Sequence, residues 1–78
     1  MKIKLKFFGR LSELTDTNEL IWETEESATL SEIEDQLNEK YPDWTAQVYR
    51  IAVNQEMVDV VTLKDGDEVA FLPPFAGG

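Results

Sequence analysis

The sequence predicts an α+β fold in which one mixed sheet carries a long helix on one of its faces. Three observations predict it. Residues 2–8 alternate, with Lys2, Lys4 and Lys6 set against Ile3, Leu5 and Phe7, the period-two pattern of a half-buried strand. Leu30, Ile33, Leu37 and Tyr41 then form one apolar stripe at helical spacing. After that helix come three short strand-like runs, the last ending at Leu72. A chain of 78 residues supports one small core, and a helix laid on a single sheet is the economical way to build it.

Each element has its own signal. In the first strand Phe8 breaks the alternation, and parity puts it on the lysine face. Gly9 punctuates, and Leu11 and Leu14 suit a short helix or a single turn. Asp16-Thr17-Asn18 is turn chemistry. Residues 19–24 read as a second strand, paired antiparallel with the first. Thr29 and Glu32 form a capping box at the head of the helix, the hydroxyl and carboxylate meeting free backbone N–H groups. Glu32, Glu34 and Asp35 near the start and Lys40 near the end suit the helix dipole, and Pro42 stops the helix. Trp44 and Val48 fit a further helical turn. Residues 49–53 read as a third strand, Asn54-Gln55 as a tight turn, and 57–61 as a fourth strand. Gly66, in the turn at 63–67, suits positive φ. In the last strand Val69 and Phe71 share one face, and Ala70 and Leu72 the other. This order is that of a β-grasp, ubiquitin-like roll, with a domain over 1–72 and a flexible tail over 73–78.

Composition excludes several functions. Seven Lys and Arg against 16 Asp and Glu give a net charge of −9, which argues against nucleic acid and anionic membrane surfaces. The same charge permits a basic protein partner, or serves only to keep a small protein in solution. No Cys and no His are present, so disulfides, Cys/His zinc sites, iron–sulfur clusters and thiolate or imidazole catalysis are excluded, and no metal site is expected. Without disulfide staples the chain must be stable by its core alone, which fits a cytoplasmic protein. No apolar run approaches a membrane span, and the alternating N-terminal segment is not a signal peptide.

Chemistry concentrates in Pro73-Pro74-Phe75-Ala76-Gly77-Gly78. The prolines stop the sheet and extend the backbone. Six extended residues reach roughly 20 Å, enough to enter a narrow tunnel in another protein. The distinctive group is the α-carboxylate of Gly78. An ionised carboxylate is a poor electrophile, so using it requires activation by a separate ATP-consuming enzyme, because this chain has no glycine-rich phosphate loop. The competing reading is a frayed terminus. Acidic pairs such as Glu25-Glu26 and Glu34-Asp35 read as solvated surface, and the lysine row as protection of an outer strand face. Phe8 and Leu72 lie on faces away from the core, and Met57 joins them if its strand runs in the matching direction. Together they make an apolar docking patch beside the tail. Alternatively the strand bulges near Gly9 and Phe8 turns inward.

Ile51-Ala52-Val53-Asn54-Gln55 and the run from Leu63-Lys64-Asp65-Gly66-Asp67-Glu68-Val69 to Pro73-Pro74-Phe75-Ala76-Gly77-Gly78 resemble the small subunit of molybdopterin synthase. So does Phe7-Phe8-Gly9-Arg10-Leu11-x-Glu13-Leu14. The resemblance implies a β-grasp sulfur carrier that binds no cofactor and is not an enzyme on its own. A partner enzyme adenylates Gly78 with ATP, and a sulfurtransferase converts it to a thiocarboxylate. The tail, Pro73 to Gly78, enters the large catalytic subunit and delivers sulfur to cyclic pyranopterin monophosphate, in a complex of two small and two large subunits. Phe8, Met57 and Leu72 fall where that family uses apolar contacts to the large subunit. Alternatives that share the fold and the Gly-Gly end are a sulfur carrier for thiamin or tRNA thiolation and a ubiquitin-like protein modifier. A binding module without tail chemistry is the fourth reading.

Overall fold

A computed structural model describes residues 1–57 and 62–74. Its strands are β1 (Lys2–Phe7), β2 (Glu19–Glu23), β3 (Arg50–Val53), β4 (Glu56–Met57) and β5 (Glu68–Leu72), with helices α1 (Arg10–Thr15) and α2 (Leu30–Lys40). One mixed sheet has the order β2-β1-β5-β3-β4. β1 pairs antiparallel with β2, as expected, and parallel with β5. β3 pairs antiparallel with β5 and β4. The architecture is the β-grasp roll that the element order implied. No helix among the described residues is long and apolar enough to cross a membrane.

Alternation decides the faces. Ile3, Leu5 and Phe7 of β1 and Val69 and Phe71 of β5 are buried under Leu30, Ile33 and Leu37 of α2. Burying such side chains contributes about 1.5–3 kcal/mol each. The lysines of β1 point to the other face. α2 has the expected bounds and is three turns long. Thr29 Oγ1 accepts from the N–H of Glu32 at 3.3 Å and donates to the Glu32 carboxylate at the same distance. The carboxylate thus meets the hydroxyl, where a capping box would send it to a backbone N–H. At the other end Tyr41 is extended (φ −122°, ψ 95°), as a residue before proline prefers.

Pro42 then opens a 3-10 helix, Pro42–Ala46, in place of a full helical turn. Trp44 is its buried member, while Val48 lies beyond it and is 74% exposed. Trp44 meets Phe7 and Phe71 edge-on at 5.8 and 5.1 Å between ring centres. Its indole N–H donates to the Tyr49 hydroxyl (3.0 Å), which donates to the Glu34 carboxylate (2.6 Å). Burial, and then the Glu34 hydrogen bond, hold the Tyr49 phenol well above the usual tyrosine range. The phenol therefore stays neutral and stays a donor.

Two turns close the sheet. Asn54 and Gln55 both have positive φ (52° and 70°), the requirement of a two-residue hairpin turn. Asn54 also ties this turn to β5, its side-chain oxygen accepting from Glu68 N–H at 3.0 Å. Gly66 has φ +88°. The fourth strand was expected over 57–61. β4 is Glu56–Met57, and 58–61 lie outside the described residues.

Candidate functional site

β5 delivers the chain to the end of the sheet at Leu72, and Pro73 and Pro74 leave it exposed. Phe75, Ala76, Gly77 and Gly78 lie outside the described residues. Beside this exit stands Phe8. Its N–H donates to the Phe71 carbonyl at 3.2 Å, so the β1–β5 register runs one residue beyond β1. Phe8 accordingly keeps its parity, remains on the lysine face and is 43% exposed. It does not bulge inward. The turn comes one residue later, at Gly9 (φ 58°, ψ −132°), a backbone region essentially reserved for glycine. The Pro73 ring packs there, with Cγ 3.5 Å from the position a β-carbon would take.

Register continues the patch. Phe7 is opposite Phe71, which sets Phe8 in line with Leu72. Leu72 is half-buried and opposite Arg50. Ala70 is opposite Lys6 on the same outer face, and Lys6 Nζ lies 3.4 Å from a Glu68 carboxylate oxygen. Met57 pairs with Ala52 at the far edge of the sheet. A cleft of about 430 Å³ adjoins Phe8, between Lys6, Gly9, Ser12, Asn18 and Glu19. The structure thus brings Phe8, Leu72 and Pro73 to one end of the sheet, with Met57 two strands away from β5.

Two features of this face escaped sequence reasoning. The Gly9–Pro73 contact joins positions 64 apart in the chain, and no local pattern signals it. Ile21, on the outer face of β2, is 54% exposed. The parity of Glu19, Ile21 and Glu23 against half-buried Leu20 and Trp22 could have revealed it.

The chain as a whole is similar to known proteins. The model of the ThiS family matches residues 5–78. The chain belongs to the ThiS family. Among curated proteins, the molybdopterin synthase sulfur carrier subunit of Mycobacterium tuberculosis is 38% identical, over 100% of this chain and 99% of that protein. Among solved structures, the putative molybdopterin converting factor subunit 1 of Pyrococcus furiosus superposes with a TM-score of 0.88 at 28% identity, covering 95% of this chain and 98% of that one. A chain of the complex of subunits 1 and 2 of the molybdopterin-converting factor from Helicobacter pylori matches with a TM-score of 0.73 at 30% identity, over 100% of this chain and 100% of that one. This ThiS-family chain is also similar to small archaeal modifier protein 1 of Methanosarcina acetivorans (TM-score 0.81, 26% identity, 99% of this chain and 96% of that one).

Proposed function

We propose that the chain is the sulfur carrier of a molybdopterin synthase. Gly78 is adenylated by a partner enzyme, its carboxylate displacing pyrophosphate from ATP. A persulfide of a sulfurtransferase then attacks the acyl adenylate, AMP leaves, and a thiol cleaves the resulting acyl disulfide, becoming a disulfide itself as the thiocarboxylate is released. Sulfur passes to cyclic pyranopterin monophosphate inside the large subunit, and hydrolysis returns the carboxylate of Gly78. Two such transfers complete the dithiolene. Phe75, Ala76 and Gly77 thread the channel, and Phe8, Leu72 and Met57 contact the large subunit in a complex of two small and two large chains. This reading includes a cytoplasmic location for the protein.

The observation that carries this reading is the pairing of exposed Phe8 with half-buried Leu72 beside the exit of the Pro73-Pro74 tail, in a chain similar to sulfur carrier subunits. The carrier itself needs no nucleophile or base, because the reacting sulfur belongs to the tail. The likeness to a small archaeal modifier protein favours a second reading, in which activated Gly78 acylates lysines of target proteins.

Intact-mass measurement after incubation with activating enzyme, ATP and a sulfur source tests both. Replacement of one oxygen by one sulfur, absent from a chain lacking Gly78, is the expected result. Molybdopterin should then form when large subunit and pterin precursor are added. Product formation by the Gly78-deleted chain would refute the carrier reading, and mass adducts on target proteins would establish the modifier.

A further inference from the structure

β2 forms one edge of the sheet, with β1 on one side only. In the β1–β2 ladder, Phe7 N–H donates to the Asn18 carbonyl and Thr24 N–H to the Met1 carbonyl, each at 2.9 Å. The register between them pairs Leu5 with Leu20 and Ile3 with Trp22. Antiparallel alternation therefore turns the N–H and C=O groups of Glu19, Ile21 and Glu23 outward. Glu19 is covered from within the chain. Thr17 Oγ1 accepts from its N–H at 3.3 Å and donates to its carbonyl at 2.8 Å. Ile21 and Glu23 gain no such bonds among the described residues, and the Ile21 side chain is 54% exposed. Outward backbone groups flanking an exposed apolar side chain are a template for another strand.

Charge decides which strand fits. Antiparallel pairing of two β2 edges centred on Ile21 sets Glu19 against Glu23 twice, and in-register parallel pairing stacks each glutamate on its copy. Like charges directly opposite are destabilising, so a second copy of this chain is a poor occupant. Asp16 before β2 and Glu25 and Glu26 after it are exposed and add acid at both ends. We propose that the β2 edge receives, by strand addition, an extended segment of a partner protein with the pattern basic–x–apolar–x–basic. The basic residues pair with Glu19 and Glu23, and the apolar one packs on Ile21. The intervening residues lie on the side of Leu20 and Trp22. Main-chain bonds would supply affinity and the alternating side chains selectivity. β1 separates this edge from β5, a spacing of roughly 10 Å, so the segment can bind while the tail sits in another protein.

The test is an NMR titration of the full chain with the peptide acetyl-Gly-Lys-Val-Ile-Val-Lys-Gly-amide and its counterpart with both lysines replaced by glutamates. The basic peptide should shift, and slow the hydrogen exchange of, the amides of Ile21 and Glu23. The acidic peptide should bind more weakly by about tenfold or more, as expected when opposite charges across a strand pair become like charges. Ile21→Pro removes an outward N–H at a position where an edge strand tolerates proline, and should abolish the effect. The Glu19→Lys/Glu23→Lys variant, which changes only exposed side chains, should invert the preference between the peptides. Equal binding of the two peptides, shifts centred on Phe8 and Leu72, no shifts at all in the folded wild-type chain, or a concentration-dependent dimer protecting the Ile21 amide would each overturn the proposal.

Discussion

Phe7 and Phe8 are adjacent in the chain and sit on opposite sides of the sheet. Phe7 is 1% exposed, stacked on Phe71 at 5.7 Å and met edge-on by Trp44. Phe8 is 43% exposed, beside the tail exit and a cleft. The same contrast holds between Phe71, fully buried, and Leu72, half-buried. One step along a pleated strand thus separates a residue held by the core from a residue left open on the outer face. The two faces can therefore be altered independently, and stability and docking should respond to different substitutions.

The largest effect tests that independence directly. Phe71→Ala should cost about 3–5 kcal/mol, because it empties the centre of the aromatic cluster. At about 4–8 °C per kcal/mol for a domain of this size, calorimetry will show a severe loss of Tm or no folded state. Phe8→Asp should change stability by only about 0.5 kcal/mol or less, as surface substitutions do. It should weaken binding of the large subunit by about 2 kcal/mol or more if Phe8 anchors the interface. Titration calorimetry against the large subunit, set beside thermal melts, checks both. Comparable losses of Tm in the two variants would break the comparison between the faces.

A smaller effect sharpens the account of the buried side. Tyr49→Phe leaves the Trp44 indole N–H without its acceptor and Glu34 without its donor, at a cost of about 1–3 kcal/mol. It should also change the pH dependence. The Tyr49 phenol has a higher pKa in the folded chain than its ordinary value of 10.0. Its contribution is therefore fully present below pH 10 and is lost as pH rises above that value. Urea denaturation at neutral pH and above pH 10 should show the wild type losing more stability than Tyr49→Phe. Parallel losses would mean that other groups account for the alkaline transition.

These contrasts also show which features a sequence can reveal. The face of each residue on β1 and β5 was legible, because alternation reports sidedness directly, and Phe8 and Leu72 followed from it. The bounds of α2 were legible because Thr29 and Pro42 act on their immediate neighbours. Strand neighbours were harder: parity says which way Val69 points, but not that β5 lies parallel to β1. The Trp44–Tyr49–Glu34 chain joins a 3-10 helix, the approach to β3 and the middle of α2, and only tertiary packing brings these together. The turn at Gly9 was marked by its glycine, whereas its contact with Pro73 depends on the β1–β5 pairing. Only the start of the expected 57–61 strand is described, as β4, and the Gly-Gly end was legible as chemistry only through its composition and its likeness to a family.

The smallest effect concerns the boundary between the two regions, where the N-terminus of α2 meets the chain returning toward β5. Thr29 does two things there: its hydroxyl caps α2 through Glu32, and its backbone bridges to Thr62. Thr29→Ala removes the first and spares the second. A cap lost in isolation costs about 1 kcal/mol, or about 4–8 °C in Tm. Thr29→Ser keeps a hydroxyl and should restore most of that loss. If both variants fall equally, the threonine acts through its methyl group and the packing around the bridge. If serine rescues, the helix is held at this end by the hydroxyl, and large-subunit affinity should be unchanged in both variants because the outer face of the sheet is untouched.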